Sequence, residues 1–237
     1  MVESILQTVR QRRKRPLTNA ERGMFADPTF AFVDDLTRKL NGHTGRTYAC
    51  RDRLDILEEM KDEVVPSYRY APERIDPAVR EYFAPLVSNK LVLDLGCGDG
   101  GDGYVLADAL NAGAYIGIEN DFALGAEYTI KEAKGTTPYA ICQEDLGEFL
   151  QFYTQKNYKA GLVIFSGIEH TSYTGYLPLS QVVPLIHRSL DDNGRLLIGG
   201  NIWWLKDDAG EELDTLFSEE KIIDINFIMK MAIYQKR

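Results

Sequence analysis

Short apolar segments alternate with longer segments of helical length from about residue 90 onward. The apolar segments that fit strands are residues 91–95, 114–118, 139–142, 162–165 and 196–198. The stretches between them that are long enough for helices are residues 102–111, 121–134, 145–153 and 178–190. This alternation of strand and helix predicts a mainly parallel sheet with helices on both faces.

The last stretch, residues 222–234, has two β-like segments with no helical pattern between them. An antiparallel hairpin that closes one edge of the sheet would account for this pattern. We therefore expect the final strand to run against the direction of its neighbours.

The region before residue 90 has helical rather than strand-like spacing. From Ile5 onward, apolar residues recur there at intervals of three or four. Pro77 is well placed to start a helix, because its fixed φ suits the first helical position. We expect a helical cap over residues 1–89 and an α/β core over residues 90–237.

The charge balance is acidic, with 27 Lys and Arg against 36 Asp and Glu and a net charge of -9. Such a chain repels a phosphate backbone, so we do not expect nucleic acid as the substrate. The basic residues that cluster near the start are Arg10, Arg12, Arg13, Lys14 and Arg15. We interpret this cluster as a solvated helix end, and the alternative is an arm that meets an anionic substrate.

Three cysteines, Cys50, Cys97 and Cys142, form neither an even set nor a metal-binding spacing. This usage favours a reducing compartment over a disulfide framework. No apolar run reaches the roughly 18 residues that span a bilayer, and no apolar signal core is visible. We therefore expect a cytoplasmic protein with no membrane partner.

A glycine-rich loop, Asp94-Leu-Gly-Cys-Gly-Asp-Gly-Gly101, lies between a predicted strand and a predicted helix. Glycine lets the backbone turn sharply and approach a ligand closely. Gly96, Gly98 and Gly101 also satisfy G-x-G-x-x-G, so a dinucleotide site is a rival interpretation, and a loop without a ligand is another. Asp94 argues against the dinucleotide. A pyrophosphate would gain nothing from its carboxylate, whereas an ammonium or sulfonium group would be attracted to it.

The segment Asp94-Leu-Gly-Cys-Gly-Asp-Gly100 resembles motif I, D/E-x-G-x-G-x-G, of the class I S-adenosylmethionine (SAM) dependent methyltransferases. The match holds at every fixed position, and the resemblance covers about residues 90–200. It implies a Rossmann-like α/β fold, with a seven-stranded, mainly parallel sheet and an antiparallel last strand. It also implies SAM as the cofactor.

The resemblance further implies cofactor contacts at the carboxyl ends of the strands. An acidic residue after the second strand holds the ribose hydroxyls, and that position is Glu119, with Asn120 beside it. Asp145 and Leu146 occupy the place near the adenine, although Asp145 is equally suited to cap a helix. The other predicted cofactor contacts are Asp94, Gly96, Cys97, Gly98, Ser166 and Arg69.

Methyl transfer is expected beside the segment after the fourth strand, where Glu169 and His170 resemble a Glu-His pair of small-molecule members. His170 is the candidate general base, since its unperturbed pKa is about 6.5. A purely structural role for His170 is an equal alternative. Similar enzymes with a metal have a glutamate where this chain has Ser166, so we predict no metal site.

We therefore predict a SAM-dependent methyltransferase that acts on an oxygen or nitrogen of a small-molecule acceptor. The aromatic residues expected to rim the acceptor pocket from loops are Tyr173, Tyr176, Trp203 and Trp204. A protein or peptide substrate is the first alternative, and a SAM-binding regulatory protein without turnover is the second. A homodimer is compatible with this prediction.

Overall fold

The structure is a computed structural model of the 237-residue chain. It describes residues 2–12, 77–98, 100–119, 130, 135–166, 177–200, 202–224 and 230–237.

Seven strands form one sheet. They are β1 Leu91–Leu95, β2 Ala114–Ile118, β3 Tyr139–Cys142, β4 Ala160–Ser166, β5 Leu190–Gly200, β6 Phe217–Asp224 and β7 Lys230–Lys236. Their order is β3-β2-β1-β4-β5-β7-β6. The neighbouring pairs among β1 to β5 are parallel, whereas β7 runs antiparallel to both β5 and β6. The predicted α/β class and antiparallel last strand are therefore confirmed.

Helices cover both faces of this sheet. Those in the described ranges are α1 Val2–Arg10, α2 Pro77–Val87, α3 Gly101–Ala109, α4 Leu146–Gln155, α5 Leu179–Ser189 and α6 Ile202–Leu216. None of these helices is long and apolar enough to cross a membrane. The helix expected to start at Pro77 is confirmed.

Helix α6 corrects one prediction, because it contains Trp203 and Trp204, which we expected in a loop. Leu205, Ala209 and Leu213 recur every four residues and are buried, which is the spacing of one helical face. At Ala209 the backbone has φ −148° and ψ 27°, so the helix is kinked there. The two tryptophans lie in the first turn of a helix that begins just beyond β5.

Side chains alternate between two apolar layers along each strand, as the pleat requires. In β1, Leu91, Leu93 and Leu95 pack in the layer that contains α1, α4, α5 and α6. Val92 packs in the opposite layer with α2 and α3. Asp94 is two residues beyond Val92, so its side chain lies on the α3 side of the sheet.

Helix α1 packs on the sheet through Ile5, Leu6 and Val9, which are buried in the same layer as β3. The helix expected from Ile5 onward is thus confirmed. The assignment of residues 1–89 to a cap stays a prediction, since residues 13–76 lie outside the described ranges.

Candidate functional site

The loop after β1 is built from glycines in the left-handed region. Gly96, Gly98 and Gly100 have φ values of 69°, 56° and 72°. An L-residue with a side chain adopts this region only at a cost of about 1–2 kcal/mol. Gly100 is also the N-cap of α3, so the loop leads directly into that helix. The alternating glycines of the motif are therefore required by the backbone itself.

Hydrogen bonds attach this loop to the end of β2. The N–H groups of Gly96 and Cys97 both donate to the carbonyl of Ile118, at 2.8 and 3.0 Å. The N–H of Gly98 donates to Oε2 of Glu119 at 2.9 Å. A carboxylate is thus held against the glycine loop at the carboxyl edge of the sheet.

Asp94 lies beneath the loop, with only 5% of its surface exposed. Its Oδ2 accepts a hydrogen bond of 2.7 Å from the phenol of Tyr115 in β2. A Cβ at Gly103 in α3 would overlap the same oxygen. Burial first, and the Asp94 charge second, raise the pKa of Tyr115 well above its usual value, so this phenol stays a donor. Asp94 therefore joins β1, β2 and the start of α3.

The side chain of Cys97 packs against Gly117 of β2. A Cβ at Gly117 would lie 2.8 Å from the Cys97 Sγ and 2.7 Å from the Cδ1 of Ile141, so a larger residue there would displace these two side chains. Gly117 was not predicted as part of the site, although a glycine inside an apolar strand indicates that another group approaches closely. Tyr115 was also missed, because its contact with Asp94 depends on the pairing register of β1 and β2.

Asp145 caps helix α4. Its Oδ1 accepts hydrogen bonds from the N–H groups of Gly147 at 2.8 Å and Glu148 at 3.1 Å. The capping alternative is thus confirmed, and the adenine contact of Asp145 and Leu146 stays a prediction. The N–H of Glu119 donates to the carbonyl of Cys142 at 3.0 Å, which joins the ends of β2 and β3.

Arg12 contacts the turn between β3 and α4. Its Nε donates to Oε2 of Glu144 at 2.7 Å, and its Nη2 donates to the other carboxylate oxygen. The guanidinium also lies over the ring of Phe152, 3.8 Å from the centroid. The interpretation of Arg12 as part of a solvated helix end is therefore wrong. Arg10 is the more exposed of the two, and it donates to the carbonyl of Tyr139 at 2.6 Å.

These groups meet where the strand order reverses. β1 has β2 on one side and β4 on the other, and the chain leaves β1 toward β2 before it returns to β4. Ligands of open α/β sheets bind beyond the carboxyl ends of the strands at such a switch point. Leu95 pairs with Phe165, so the glycine loop and the backbone of Ser166 follow neighbouring strand ends.

Several predicted site residues lie outside the described ranges: Arg69, Asn120, Glu169, His170, Tyr173 and Tyr176. The roles assigned to them stay predictions. Within the described ranges, no group of three His, Cys, Asp or Glu side chains is placed to hold a metal ion.

The topology, with β7 antiparallel between β5 and β6, is the fold of the class I methyltransferases. A candidate SAM-dependent methyltransferase from Streptococcus mutans superposes with a TM-score of 0.53 at 10% identity, over 67% of this chain and 48% of its own. The match thus spans about half of that protein. No family model and no curated protein sequence matches the chain.

Two other solved structures match over nearly their whole length. A protein from Pyrococcus horikoshii OT3 has a TM-score of 0.53 and 18% identity, over 76% of this chain and 99% of its own. A candidate rRNA methylase from Clostridium thermocellum has a TM-score of 0.50 and 12% identity, over 68% of this chain and 96% of its own. At these identities the likeness concerns the fold.

Proposed function

We propose that this chain is a SAM-dependent methyltransferase that methylates an oxygen or nitrogen of a small-molecule acceptor. The observation that carries the proposal is the left-handed glycine loop whose Gly98 N–H holds the carboxylate of Glu119. This loop and carboxylate lie at the switch point of a methyltransferase-type sheet.

The charge beneath the loop supports SAM over a dinucleotide. Asp94 places a buried carboxyl group beneath the glycine loop, whereas the carboxylate of Glu119 suits the ribose of either cofactor. A pyrophosphate would be repelled beside Asp94, whereas the ammonium and sulfonium groups of SAM would be attracted. The antiparallel β7 also departs from the 3-2-1-4-5-6 parallel order of the dinucleotide fold.

The proposed orientation of the cofactor follows the order of the strands. Gly96 and Gly98 would lie against its methionine and ribose part, with Cys97 between them, and Ser166 would follow on the next strand. Glu119 would accept hydrogen bonds from the vicinal ribose hydroxyls, with Asn120 beside it. The adenine would lie toward Asp145 and Leu146. Arg69 is proposed as the partner of the cofactor carboxylate.

The cofactor would supply a methyl group that its positively charged sulfur already activates. The chain would have to align the acceptor with this methyl and, for a hydroxyl or ammonium acceptor, remove a proton. We assign proton removal to His170, with Glu169 beside it. No residue set for a metal-assisted step is proposed.

The proposed acceptor is a small molecule. The acidic net charge of -9 supports a small molecule over a nucleic acid. The rRNA methylase among the similar structures makes RNA an outcome to test, and a protein or peptide acceptor is a further one.

We also infer a cytoplasmic location from the buried thiols of Cys97 and Cys142. A homodimer stays a prediction, for which light scattering is the direct test.

The first experiment is titration calorimetry of the purified chain with SAM, S-adenosylhomocysteine (SAH) and NAD. We expect both adenosyl ligands to bind and NAD to give no heat. Binding of NAD without either adenosyl ligand would overturn the proposal. Glu119→Gln should weaken SAH binding about tenfold, or about 1.4 kcal/mol. The matched control is Glu211→Gln, which changes an exposed residue of α6 and should bind SAH normally.

Turnover is tested by SAH formation across panels of small phenols and amines, peptides and RNA. His170→Ala should retain SAH affinity and lower turnover by about 100-fold or more if it acts as the base. An unchanged pH profile of turnover in this variant would remove the base role. Cofactor binding with no SAH formed from any acceptor class would favour a regulatory protein.

A further inference from the structure

A residue near the start of the chain holds the turn on the proposed adenine side of the site. We propose that Arg12 is a positioning residue that acts through Glu144 to fix the turn between β3 and α4, and thereby the selectivity for adenine. This inference rests on the proposed SAM site. Arg12 and Glu144 are 132 positions apart in the sequence.

The carboxylate of Glu144 is buried. Its side chain is 5% exposed, and that of Arg12 is 25% exposed. A buried carboxylate is costly unless it is paired and hydrogen-bonded, and a bidentate guanidinium meets both needs. The thiol of Cys142 adds a third contact to Oε2 of Glu144, at 3.5 Å. Burial first, and the Glu144 charge second, raise the pKa of Cys142 to about 12, so the thiol remains protonated.

Arg12 contacts both the turn and the helix that follows it. Glu144 belongs to the turn itself, and Phe152, whose ring lies under the guanidinium, belongs to α4. Arg12 lies two residues beyond the end of α1, which is anchored on the sheet by Leu6 and Val9. The guanidinium is therefore a fixed link between α1, the end of β3 and α4.

The turn that Arg12 holds lies beside the proposed adenine and ribose contacts. Glu144 lies between the buried Gln143 and the N-cap Asp145, so its position sets where α4 begins. Cys142, two residues before Glu144, accepts the hydrogen bond from the N–H of Glu119. A shift of Glu144 would thus displace the proposed adenine contacts and disturb the proposed ribose contact.

Arg12→Met tests the inference, because it keeps much of the aliphatic stem and leaves Glu144 buried without its cation. Calorimetry with SAH and with S-inosylhomocysteine, which lacks the adenine amino group, measures selectivity for adenine. We expect Arg12→Met to weaken SAH binding about tenfold and S-inosylhomocysteine binding much less. The SAH affinity of Arg12→Lys should lie between those of wild type and Arg12→Met, since lysine keeps the charge but loses the bidentate geometry.

The matched control is Arg10→Met, which removes a neighbouring arginine whose side chain is 47% exposed and which bonds the Tyr139 carbonyl instead. Its affinity for both ligands should stay close to wild type. The effect of Arg12→Met should also shrink when Glu144→Gln has already removed the buried charge, which is the non-additivity expected of a coupled pair.

The outcomes separate this inference from the proposed function. If the wild-type chain binds no adenosyl ligand, the proposed function fails. If it binds SAH, and Arg12→Met keeps wild-type affinity or loses both ligands equally, only the role of Arg12 fails. Circular dichroism identifies a variant that does not fold. If Arg12→Met does not fold, Arg12→Lys is measured in its place. The inference is then overturned if Arg12→Lys has the wild-type preference for SAH over S-inosylhomocysteine.

Discussion

The phenol of Tyr115 donates a hydrogen bond of 2.7 Å to Oδ2 of Asp94 across the β1–β2 pair. Both side chains are buried, and the bond lies directly under the glycine loop. A hydrogen bond to a buried charged group contributes about 1.5–3 kcal/mol. The loop is therefore supported from below by a phenol that lies outside the D/E-x-G-x-G-x-G motif.

Tyr115→Phe should destabilise the protein by about 1.5–3 kcal/mol. It should also weaken SAH binding, because Asp94 loses a partner beneath the loop. Thermal melting and calorimetry measure the two effects. Tyr104→Phe is the matched control, since Tyr104 is equally buried and donates to the Thr137 carbonyl at 3.1 Å, away from the loop. Equal SAH affinities for the two variants would show that the Tyr115 bond does not support the site.

Gly98→Ala should destabilise the fold by about 1–2 kcal/mol, because its φ of 56° is strained for alanine. SAH binding should be lost, since the Gly98 N–H that holds Glu119 would move. Chemical denaturation and calorimetry measure these changes. Gly210→Ala is the counterpart: a Cβ there meets nothing within 4 Å, so stability should rise by about 0.5–1 kcal/mol and binding should be unchanged. Tolerance of Gly98→Ala would contradict the described loop.

Tyr153→Phe should leave stability unchanged or raise it by about 1 kcal/mol. The Tyr153 hydroxyl is buried, and it has no hydrogen-bond partner within the described part of the chain. Its removal should therefore relieve a desolvation penalty. Thermal melting compares this variant with Tyr104→Phe, which removes a bonded hydroxyl and should therefore be less stable than wild type. A marked loss of stability in Tyr153→Phe would mean that the hydroxyl has a partner.

The hydrogen bonds that Asp108 accepts should make the protein less stable in acid. Burial alone would raise the pKa of Asp108, but hydrogen bonds from the backbone N–H groups of Thr137 and Thr136 outweigh it and lower this pKa. A lowered pKa in the folded state stabilises the protein above the unfolded value of about 3.9, and this contribution is lost as pH falls through the folded pKa. Denaturant midpoints measured from pH 5 to pH 2, roughly the range where such carboxyls titrate, should therefore fall less steeply for Asp108→Asn than for wild type. Parallel curves would argue against the contact.

The parts of the fold that could be predicted are those with a local signal. β1, β2 and β3 were predicted with their observed bounds, because each is a short apolar run that ends at glycine or a polar residue. The glycine loop and Glu119 were also singled out, from the motif and from the end of the second strand, but the hydrogen bond between them was not predicted. α6 was missed because its apolar spacing lies within the acidic, glycine-containing segment 206–214.

The contacts that could not be predicted join positions far apart in sequence. Tyr115 reaches Asp94 only because β1 and β2 pair in one particular register. The pairing of Arg12 with Glu144 requires α1 to dock beside β3, which no local pattern indicates. Charge alone suggested solvent exposure for Arg12, whereas the buried partner decides its position.

The placement of β7 between β5 and β6 has a consequence for synthesis on the ribosome. β5 ends at Gly200 and β7 begins at Lys230, so β5 emerges well before the strand that will pair with it. At translation rates of about 5–20 residues per second, β5 keeps an open edge for about 2–6 s. An unpaired strand edge invites association with other chains. Nascent chains stalled between these two strands should therefore be the form most in need of a chaperone.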